Sequence, residues 1–234
     1  MTVVCGIAAV GLIPNSIETA SFLTPGEQEH ALARLDLSNN VSGSPTEPEA
    51  FRWSEVVRGI LSPQLWFTGL AYFAICCALY SFSLFSPTII VSLGYSGSKP
   101  QLMTVPSYAV AAMTATLYAF LSDRLRLRGV LSLFALPLGV IGYAVIARVE
   151  SNSVKYRMTF LMGVGIYSSV PPILVWLLNN SAGHYKRATS GAMQLVLANC
   201  GGIVAAFLYP NSEKPLYYKS HNVAMGCLLA AWVL

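Results

Sequence analysis

Hydroxyl side chains inside otherwise apolar stretches are the residues of this sequence best suited to bind a polar solute. Tyr80 and Ser83 lie three positions apart, so a helix would place them on nearly one face. A hydroxyl surrounded by hydrocarbon needs a hydrogen-bond partner, which is either another helix or a bound molecule. Most of this helix face is expected to be core, but Tyr80 and Ser83 can present their hydroxyls to a cavity.

Two amide side chains, Gln194 and Asn199, pose the same question in a later apolar stretch. Each needs a hydrogen-bond partner inside hydrocarbon, and either a neighbouring helix or a substrate would serve. Small residues recur at every fourth position of the same stretch, at Ala198, Gly202 and Ala206. This pattern predicts a packing stripe along which another helix approaches closely.

Prolines interrupt four of the apolar stretches, at Pro87, Pro106, Pro137 and the pair Pro171-Pro172. Each proline removes a helix hydrogen bond and is expected to kink or unwind the backbone. Irregular backbone at membrane depth survives only against protein or a water-filled cavity. The pair Pro171-Pro172 therefore predicts a broken, hinge-like helix whose cavity brings the Tyr167 and Ser168 hydroxyls within reach of a substrate. The competing interpretation is that proline is simply commoner in membrane helices.

The remaining reactive residue types do not form recognisable sites. The three histidines, His30, His184 and His221, are expected in loops and share no spacing with a catalytic partner. All five cysteines fall in apolar runs, without the spacing of a metal cluster. No ionisable residue lies in the middle of a predicted span, so the sequence offers no carrier for a coupling proton. We therefore predict neither an enzyme nor a cofactor or metal site.

The composition shows what kind of element must position these residues. Of 234 residues, 55% are hydrophobic and only 10% are charged, against about 25% charged residues in soluble domains. The mean hydropathy is +0.58, and the formal charge is +4. This composition excludes a soluble protein, a disordered chain and a nucleic-acid-binding surface.

Five charge-poor runs are long enough to cross the hydrocarbon core of a bilayer, which takes about 20 residues of helix. We predict spans at residues 65–91, 101–121, 130–147, 157–178 and 191–210. The apolar residues 1–13 and 223–234 are too short for complete spans, so the sequence is expected to be cut within a helix at both ends. A signal peptide is the other interpretation of residues 1–13, but it lacks a basic n-region.

Residues 14–63 form the longest hydrophilic stretch. The segment from Thr24 to Glu27 predicts a helix start, with Thr24 as the cap, proline at the first position and Glu27 reaching back. Residues 38–50 are expected to be a flexible linker. Apolar and charged residues then alternate at helical spacing over 51–61, which predicts an amphipathic helix at the membrane interface. A solvated linker helix is the alternative.

Several segments together resemble fungal permeases of the major facilitator superfamily, of the allantoate and nicotinate type within the anion:cation symporter group. The segments that resemble helices 7 and 8 are Ala78–Ile90, Leu93–Tyr95 and Gln101–Val110. Leu121–Gly129 resembles the loop between helices 8 and 9, and Phe22–Glu27 is similar to the central cytoplasmic loop. The segments that resemble helices 10 and 11 are Ile166–Pro172, Trp176–Arg187 and Asn199–Ile203.

The resemblance implies an all-α membrane protein, the C-terminal six-helix half of a major facilitator superfamily transporter with clipped first and last helices. Residues 1–13 would be the end of helix 6, residues 14–63 the central cytoplasmic loop with its amphipathic helices, and residues 64–234 helices 7 to 12, the last one truncated. The basic residues of the loops alone favour this orientation only weakly, by eight against six. The protein is then expected in the plasma membrane.

The same resemblance implies a function and a set of partners. Relatives move small organic anions or vitamin-like solutes by alternating access, often together with protons. The expected partners are membrane lipids, a small-molecule substrate, and the missing N-terminal half or a second copy. A nontransporting fragment or truncated gene model is the main alternative. A seven-helix receptor is a weaker one, because the first loop would have about 50 residues.

The resemblance also assigns roles to individual residues. Tyr80, Ser83, Tyr167 and Ser168 would line the substrate path, with Asn180 and Asn199 as outer candidates. Some anion:cation symporters carry a basic residue in helix 7, and this sequence has none there. Asp123 would close the cytoplasmic junction against the opposite half. The neighbouring Arg124, Arg126 and Arg128 would bind lipid phosphate, or would belong to a plain solvated turn.

Overall fold

A computed structural model describes residues 22–41, 51–92, 94–125, 128–149, 151–210 and 217–234, together with six isolated positions before residue 22. Helices account for most of these residues, and no strand occurs among them. Most of residues 1–13, where the end of a helix was expected, lie outside the described part. The helices are α1 (Pro25–Val41), α2 (Trp53–Ile60), α3 (Pro63–Ser92), α4 (Lys99–Leu125), α5 (Arg128–Ile146), α6 (Asn152–Asn179), α7 (His184–Leu208) and α8 (Tyr218–Val233).

The five predicted membrane spans are confirmed as α3 to α7. Each of these helices is long and apolar enough to cross a membrane. The spans differ in the share of their apolar stretch that is buried within the protein. This share is 56% in α3 and 50% in α6, against 17% in α4 and 22% in α7. The described residues therefore divide into well-covered helices and helices whose surfaces are mostly open.

Helix α1 belongs to a first compact unit formed by residues 1–52 and 182–184. It begins as predicted: the Thr24 amide and hydroxyl both donate to Glu27 Oε2, at 2.9 and 2.8 Å. These bonds, the backbone one first, hold the pKa of the Glu27 carboxyl below its usual range. The linker prediction was wrong at its start, because α1 continues to Val41. Ser and Asn cost little within a helix that is already formed, and residues 42–50 lie outside the described part.

Helices α2 to α8, apart from the first residue of α7, belong to a second unit, residues 53–181 and 185–234. The predicted amphipathic helix is α2. Its Trp53 side chain is 72% exposed, while Gly59 on the other face packs against α7, where the Ser190 hydroxyl donates to the Gly59 carbonyl at 3.3 Å. A Cβ on Gly59 would lie 3.2 Å from the Lys186 carbonyl oxygen. One side of α2 therefore packs against α7, while aromatic and aliphatic side chains on its other side are exposed.

The core of the second unit centres on α6, which packs against α3, α4 and α5. Its fully buried Met162 and Ile166 contact a cluster that includes Phe82 of α3 and Leu228 of α8. The closest approach is between α5 and α6, because a Cβ on Gly165 would lie 2.7 Å from the Gly139 Cα and would also meet the Gly139 amide. Two backbones in direct contact leave no room for any side chain there.

The prolines were expected to kink or unwind their helices, and the expected unwinding was wrong. Pro87, Pro106 and Pro137 lie inside α3, α4 and α5, and α6 runs through Pro171 and Pro172 without interruption. Proline has no amide hydrogen, so two adjacent prolines leave only two carbonyl groups, those four residues before them, without their usual helical donors. Packing on three neighbouring helices is sufficient to keep the remaining turns helical.

The predicted small-residue stripe of α7 needs a correction. The buried face of α7 runs through Ser190, Gln194, Ala198, Gly201 and Ala205, whereas Ala206 is exposed. A helix turns once in 3.6 residues, so a strict four-residue repeat drifts away from a straight contact line. Gly201 makes the close contact, since a Cβ there would lie 2.7 Å from the Phe73 carbonyl oxygen of α3.

We expect Gly165→Ala to destabilise the protein, because the added methyl group meets Gly139 backbone atoms that cannot move away independently. Overpacking of this kind typically costs about 1–3 kcal/mol. Gly226→Ala is the matched control: Gly226 also lies in a helix, but nothing stands within 4 Å of its added Cβ. Thermal unfolding of the purified variants in detergent should show a lower midpoint for Gly165→Ala alone. Equal midpoints would contradict the close α5–α6 contact.

Candidate functional site

The outward face of α3 carries the first two candidate residues. Ser81 and Phe82 are buried, which leaves Ser83 exposed and Tyr80 half-buried on the opposite side of the helix. Tyr80 and Ser83 therefore lie one turn apart on an open face, as their spacing predicted. Each of them meets a different neighbouring helix.

Tyr80 pairs with Asn199 of α7. The Tyr80 hydroxyl donates to Asn199 Oδ1 at 2.9 Å, and Asn199 Nδ2 donates to the Leu195 carbonyl at 2.7 Å. Gly202 makes room for the tyrosine ring, because a Cβ there would lie 3.1 Å from Tyr80 Cδ2. The partner of the Asn199 amide in this structure is thus a neighbouring helix. Because Asn199 itself is exposed, the pair remains open to a solute.

Ser83 lies beside three aromatic rings that we call the aromatic cluster: Phe82 of α3, Tyr108 of α4 and Tyr167 of α6. The ring centroids are 5.7 Å apart for Phe82 and Tyr108, 6.4 Å for Phe82 and Tyr167, and 6.0 Å for Tyr108 and Tyr167. All three pairs meet edge to face, the arrangement favoured by aromatic quadrupoles. The Tyr167 hydroxyl interacts with the side chains of Ser83 and Tyr108, and the Tyr108 hydroxyl points to the Ser83 carbonyl at 3.5 Å.

Ser168 and Asn180 lie away from the aromatic cluster. Ser168 is fully buried on the other side of α6, and its Oγ has no hydrogen-bond partner among the described residues. Asn180 follows the last turn of α6, about 20 Å from Tyr167 at 1.5 Å per residue. Its amide donates to the Trp176 carbonyl at 2.9 Å. The structure therefore brings Ser83 and Tyr167 together but leaves these two candidates outside.

Asn180 instead lines a cavity of about 700 Å³ at the opposite end of the bundle. The walls of this cavity are largely apolar and include Phe67, Trp176 and Trp232. Gln194 is a further amide with a helix partner, because its Nε2 donates to the Ile173 carbonyl of α6 at 3.3 Å. The amide thus joins α7 to α6 and does not reach the aromatic cluster.

The candidate junction residues lie at the end of α4. Asp123 and Arg124 belong to its last turn and are exposed. Arg128 is the first residue of α5, but its side chain and the whole of Arg126 lie outside the described residues. Pro171 is half-buried and Pro172 is buried within α6. An exposed helix end that carries a carboxylate and a guanidinium group suits a contact with another protein segment.

Sequence reasoning missed three parts of this arrangement. Tyr108 was identifiable as an in-span hydroxyl of the same type as Tyr80, whereas Phe82 carried no signal that distinguishes it from other apolar residues. The prediction that the three histidines lie in loops was wrong: His30 lies in α1, His184 is the first residue of α7, and His221 lies in the first turn of α8, where it is only 3% exposed. Lys219 concealed this helix start, because it follows a charged loop and precedes the apolar run.

The aromatic cluster and the hydroxyl groups beside it carry no formal charge. Three phenol groups and a serine hydroxyl, from Tyr80, Tyr108, Tyr167 and Ser83, supply hydrogen-bond donors and acceptors. Ring faces and edges beside them suit a flat solute. Phenol and serine hydroxyls can orient a solute and hydrogen-bond it without forming an ion pair.

Comparison with known proteins identifies similar chains. A family model described as Major Facilitator Superfamily matches residues 1–206. An uncharacterized transporter of Schizosaccharomyces pombe is 36% identical over 93% of this chain and 43% of its own length. The high-affinity nicotinic acid transporter of Saccharomyces cerevisiae is 27% identical over 96% of this chain and 42% of its own length. The major facilitator-type transporter hxnP of Emericella nidulans is 27% identical over 97% and 46%.

The chain spans less than half the length of the curated relatives that it matches, between 42% and 46% in these three cases.

A double-mutant cycle should detect the bond between Tyr80 and Asn199. We expect Tyr80→Phe and Asn199→Ala to show a coupling of about 0.6 kcal/mol in unfolding free energy, the typical value for such bonds between membrane helices. The measurement is equilibrium unfolding in mixed micelles of both single variants and the double variant. Strictly additive effects would mean that the two side chains do not interact.

Proposed function

The chain belongs to the Major Facilitator Superfamily, and from that premise we propose that it takes part in moving a small organic anion or vitamin-like solute across a membrane. In this proposal α3 to α8 correspond to helices 7 to 12 of the family. Membership of a transporter family favours this function over the seven-helix receptor that the span count also allowed. The transport activity itself is the proposal to be tested.

The observation that carries the proposal is the aromatic cluster with its adjoining hydroxyl groups. Well-covered helices, α3 and α6, supply Phe82, Ser83 and Tyr167, so these side chains have a fixed frame. Phe82 belongs to the buried core of this unit, Tyr167 is partly buried against it, and Ser83 is exposed. Binding sites of the family lie between two halves, and an open polar surface of this kind is what one half would contribute.

The substrate class follows from the shape and charge of this surface. One relative is named as a high-affinity nicotinic acid transporter, and nicotinate is a flat ring with a carboxylate. The aromatic cluster suits the flat ring, and the hydroxyls of Ser83 and Tyr167 can donate to carboxylate oxygens. In this proposal the neutral site supplies shape and hydrogen bonds, while compensating positive charge comes from outside the cluster.

Alternating access needs a second body against which this one rocks. We propose that a matching N-terminal half, or a second copy of this chain, provides it in the plasma membrane, and that proton symport drives uptake. Asp123 and Arg124 then form contacts at the cytoplasmic junction when that side is closed, since a carboxylate there is favoured beside a helix N-terminus of the opposite body. Pro171 and Pro172 remain candidates for helix bending during the change.

The proposal is tested by measuring uptake of labelled nicotinate into cells. The cells lack nicotinate transport of their own and produce the chain together with an N-terminal half. Tyr167→Phe and Ser83→Ala should each raise KM about fivefold, since a hydrogen bond contributes on the order of 1 kcal/mol. Ser168→Ala is the matched control, because it makes the same change at a buried hydroxyl. Ala206→Ser, on the exposed face of α7, is a second control.

Nicotinamide is the control solute, because it has the same ring without the charge. Saturable uptake of nicotinate at matched surface expression, with nicotinamide excluded, would support an anion site. The proposal fails if no organic anion is taken up. Equal KM values for Ser83→Ala and Ser168→Ala would instead place the binding site away from the aromatic cluster.

A further inference from the structure

A smaller cavity, of about 330 Å³, lies at the end of the bundle where α6 begins. The residues that line it come from two elements: Tyr95 from the connection between α3 and α4, and Asn152, Ser153, Tyr156 and Arg157 from the first two turns of α6. Every one of these side chains carries a polar group, in contrast to the largely apolar walls of the cavity at the opposite end. The site described above uses none of them.

The turn before α4 positions Tyr95. Gly94 and Gly97, on either side of it, have φ angles of 94° and 71°, a region that glycine enters without steric strain. The Gly94 amide donates to the Val91 carbonyl at 3.0 Å, which closes the turn at the end of α3. The chain therefore leaves α3 sharply, and Tyr95 reaches the wall of the cavity.

The start of α6 supplies the positive charge. Ser153 and Arg157 are four residues apart and therefore lie on one face of the helix. No carboxylate that the structure describes lies within ion-pair distance of the Arg157 guanidinium group, and Glu150 lies outside the described part of the chain. The Tyr156 hydroxyl donates to the Met103 carbonyl of α4 at 3.2 Å. A guanidinium group with hydroxyls beside it is suited to bind an oxyanion, such as a carboxylate or a phosphate.

The charge of this end of the bundle also favours an anion. The connections α3–α4, α5–α6 and α7–α8, with the helix turns beside them, contain six basic and two acidic residues, whereas the rest of the chain contains eight of each. The formal charge of +4 therefore belongs entirely to this end. The six bases are Lys99, Arg148, Lys155, Arg157, Lys214 and Lys219, and the two acids are Glu150 and Glu213. Charge of one sign around a cleft attracts ligands of the opposite sign and raises their association rate.

The cavity and the aromatic cluster lie on the same face of α6. Tyr156 and Tyr167 are eleven residues apart, which is about three turns and about 16 Å along the helix, and both contact α4, at Met103 and at Tyr108. The Phe160 ring follows Tyr156 by one turn and meets it edge to face at 5.3 Å. Aromatic rings therefore follow one face of α6 from the cavity towards the aromatic cluster.

We propose that this cavity captures the carboxylate of the transported solute before the solute reaches the aromatic cluster, with Arg157 as the cation. The inference rests on the proposed transport function and supplies the positive charge that the aromatic cluster lacks. The hydroxyls of Ser153 and Tyr95 donate to the same oxyanion. In the proposed topology this end faces the outside of the cell. The phosphate group of a lipid offers the same chemistry as a carboxylate, so the first experiment separates these two sources.

Nitrogen NMR of the arginine side chains tests the site without transport. The chain, with nitrogen-labelled arginine, is purified in maltoside micelles, which contain no anionic group, and Arg157→Lys identifies the Arg157 signal. We expect nicotinate to shift this signal saturably, and nicotinamide, which has no carboxylate, to leave it in place. Phosphatidylglycerol forms the second arm. The proposal is overturned if nicotinate leaves the signal in place, or if phosphatidylglycerol shifts it and nicotinate cannot displace the lipid.

Transport kinetics provide the second test, in the cells described above. Arg157→Gln should raise the KM for nicotinate about fivefold, which is the upper range for an exposed ion pair, and leave the maximal rate unchanged. Lys155→Gln is the matched control, because it removes one positive charge from the same part of α6 without lining the cavity. High ionic strength should reduce the difference between Arg157→Gln and the unaltered protein, since salt screens exposed charges.

The outcomes separate the two proposals. Equal KM values for Arg157→Gln and Lys155→Gln, in cells that take up nicotinate, would overturn the capture site and leave the transport function standing. Absence of uptake by the unaltered protein would instead contradict the transport function with this solute. The NMR titration would then still decide whether Arg157 binds a carboxylate.

Discussion

The contact between Gly139 and Gly165 is the constraint on which the rest of the second unit depends. Two backbones meet there without side chains between them, which fixes the distance between α5 and α6. Helix α6 can then reach α3 and α4 as well. Tyr167, two residues after Gly165, is placed beside Phe82 and Tyr108 as a result. A membrane helix gains no hydrophobic driving force from packing against another helix, so such close backbone contact is what replaces it.

Polar side chains inside the bundle find their hydrogen-bond partners in two ways. Several hydroxyls, such as Ser169, donate back to carbonyls of their own helix. Others bridge helices: Tyr143 reaches Ala78, and Gln194 reaches Ile173. Tyrosine and glutamine are long enough to cross the gap between helices, whereas serine does so where two helices approach closely, as Ser190 does at Gly59. Tyrosine hydroxyls make several of the links between helices, as at Tyr80 and Tyr143.

The sequence allowed the spans to be predicted because length and the absence of charge decide whether a helix can cross a bilayer. The helix start at Thr24 was equally predictable, since its capping bonds are local. The pair Tyr80–Asn199 was not, because its members are 119 residues apart and each had two possible kinds of partner. Continuity through Pro171-Pro172 and burial of His221 escaped prediction for a related reason. Both are decided by the helices packed around those residues, which local pattern does not contain.

The uneven covering of the helices has a mechanical consequence. Helices α4 and α7 bury the smallest fractions of the five spans, 17% and 22%, although α4 also packs extensively against α6. The open face of α3 lies on a seam with each of them: Tyr80 bonds to Asn199 of α7, and Ser83 meets Tyr108 of α4. A molecule that replaced either hydrogen bond would remove one of the contacts that join α3 to α7 and to α4.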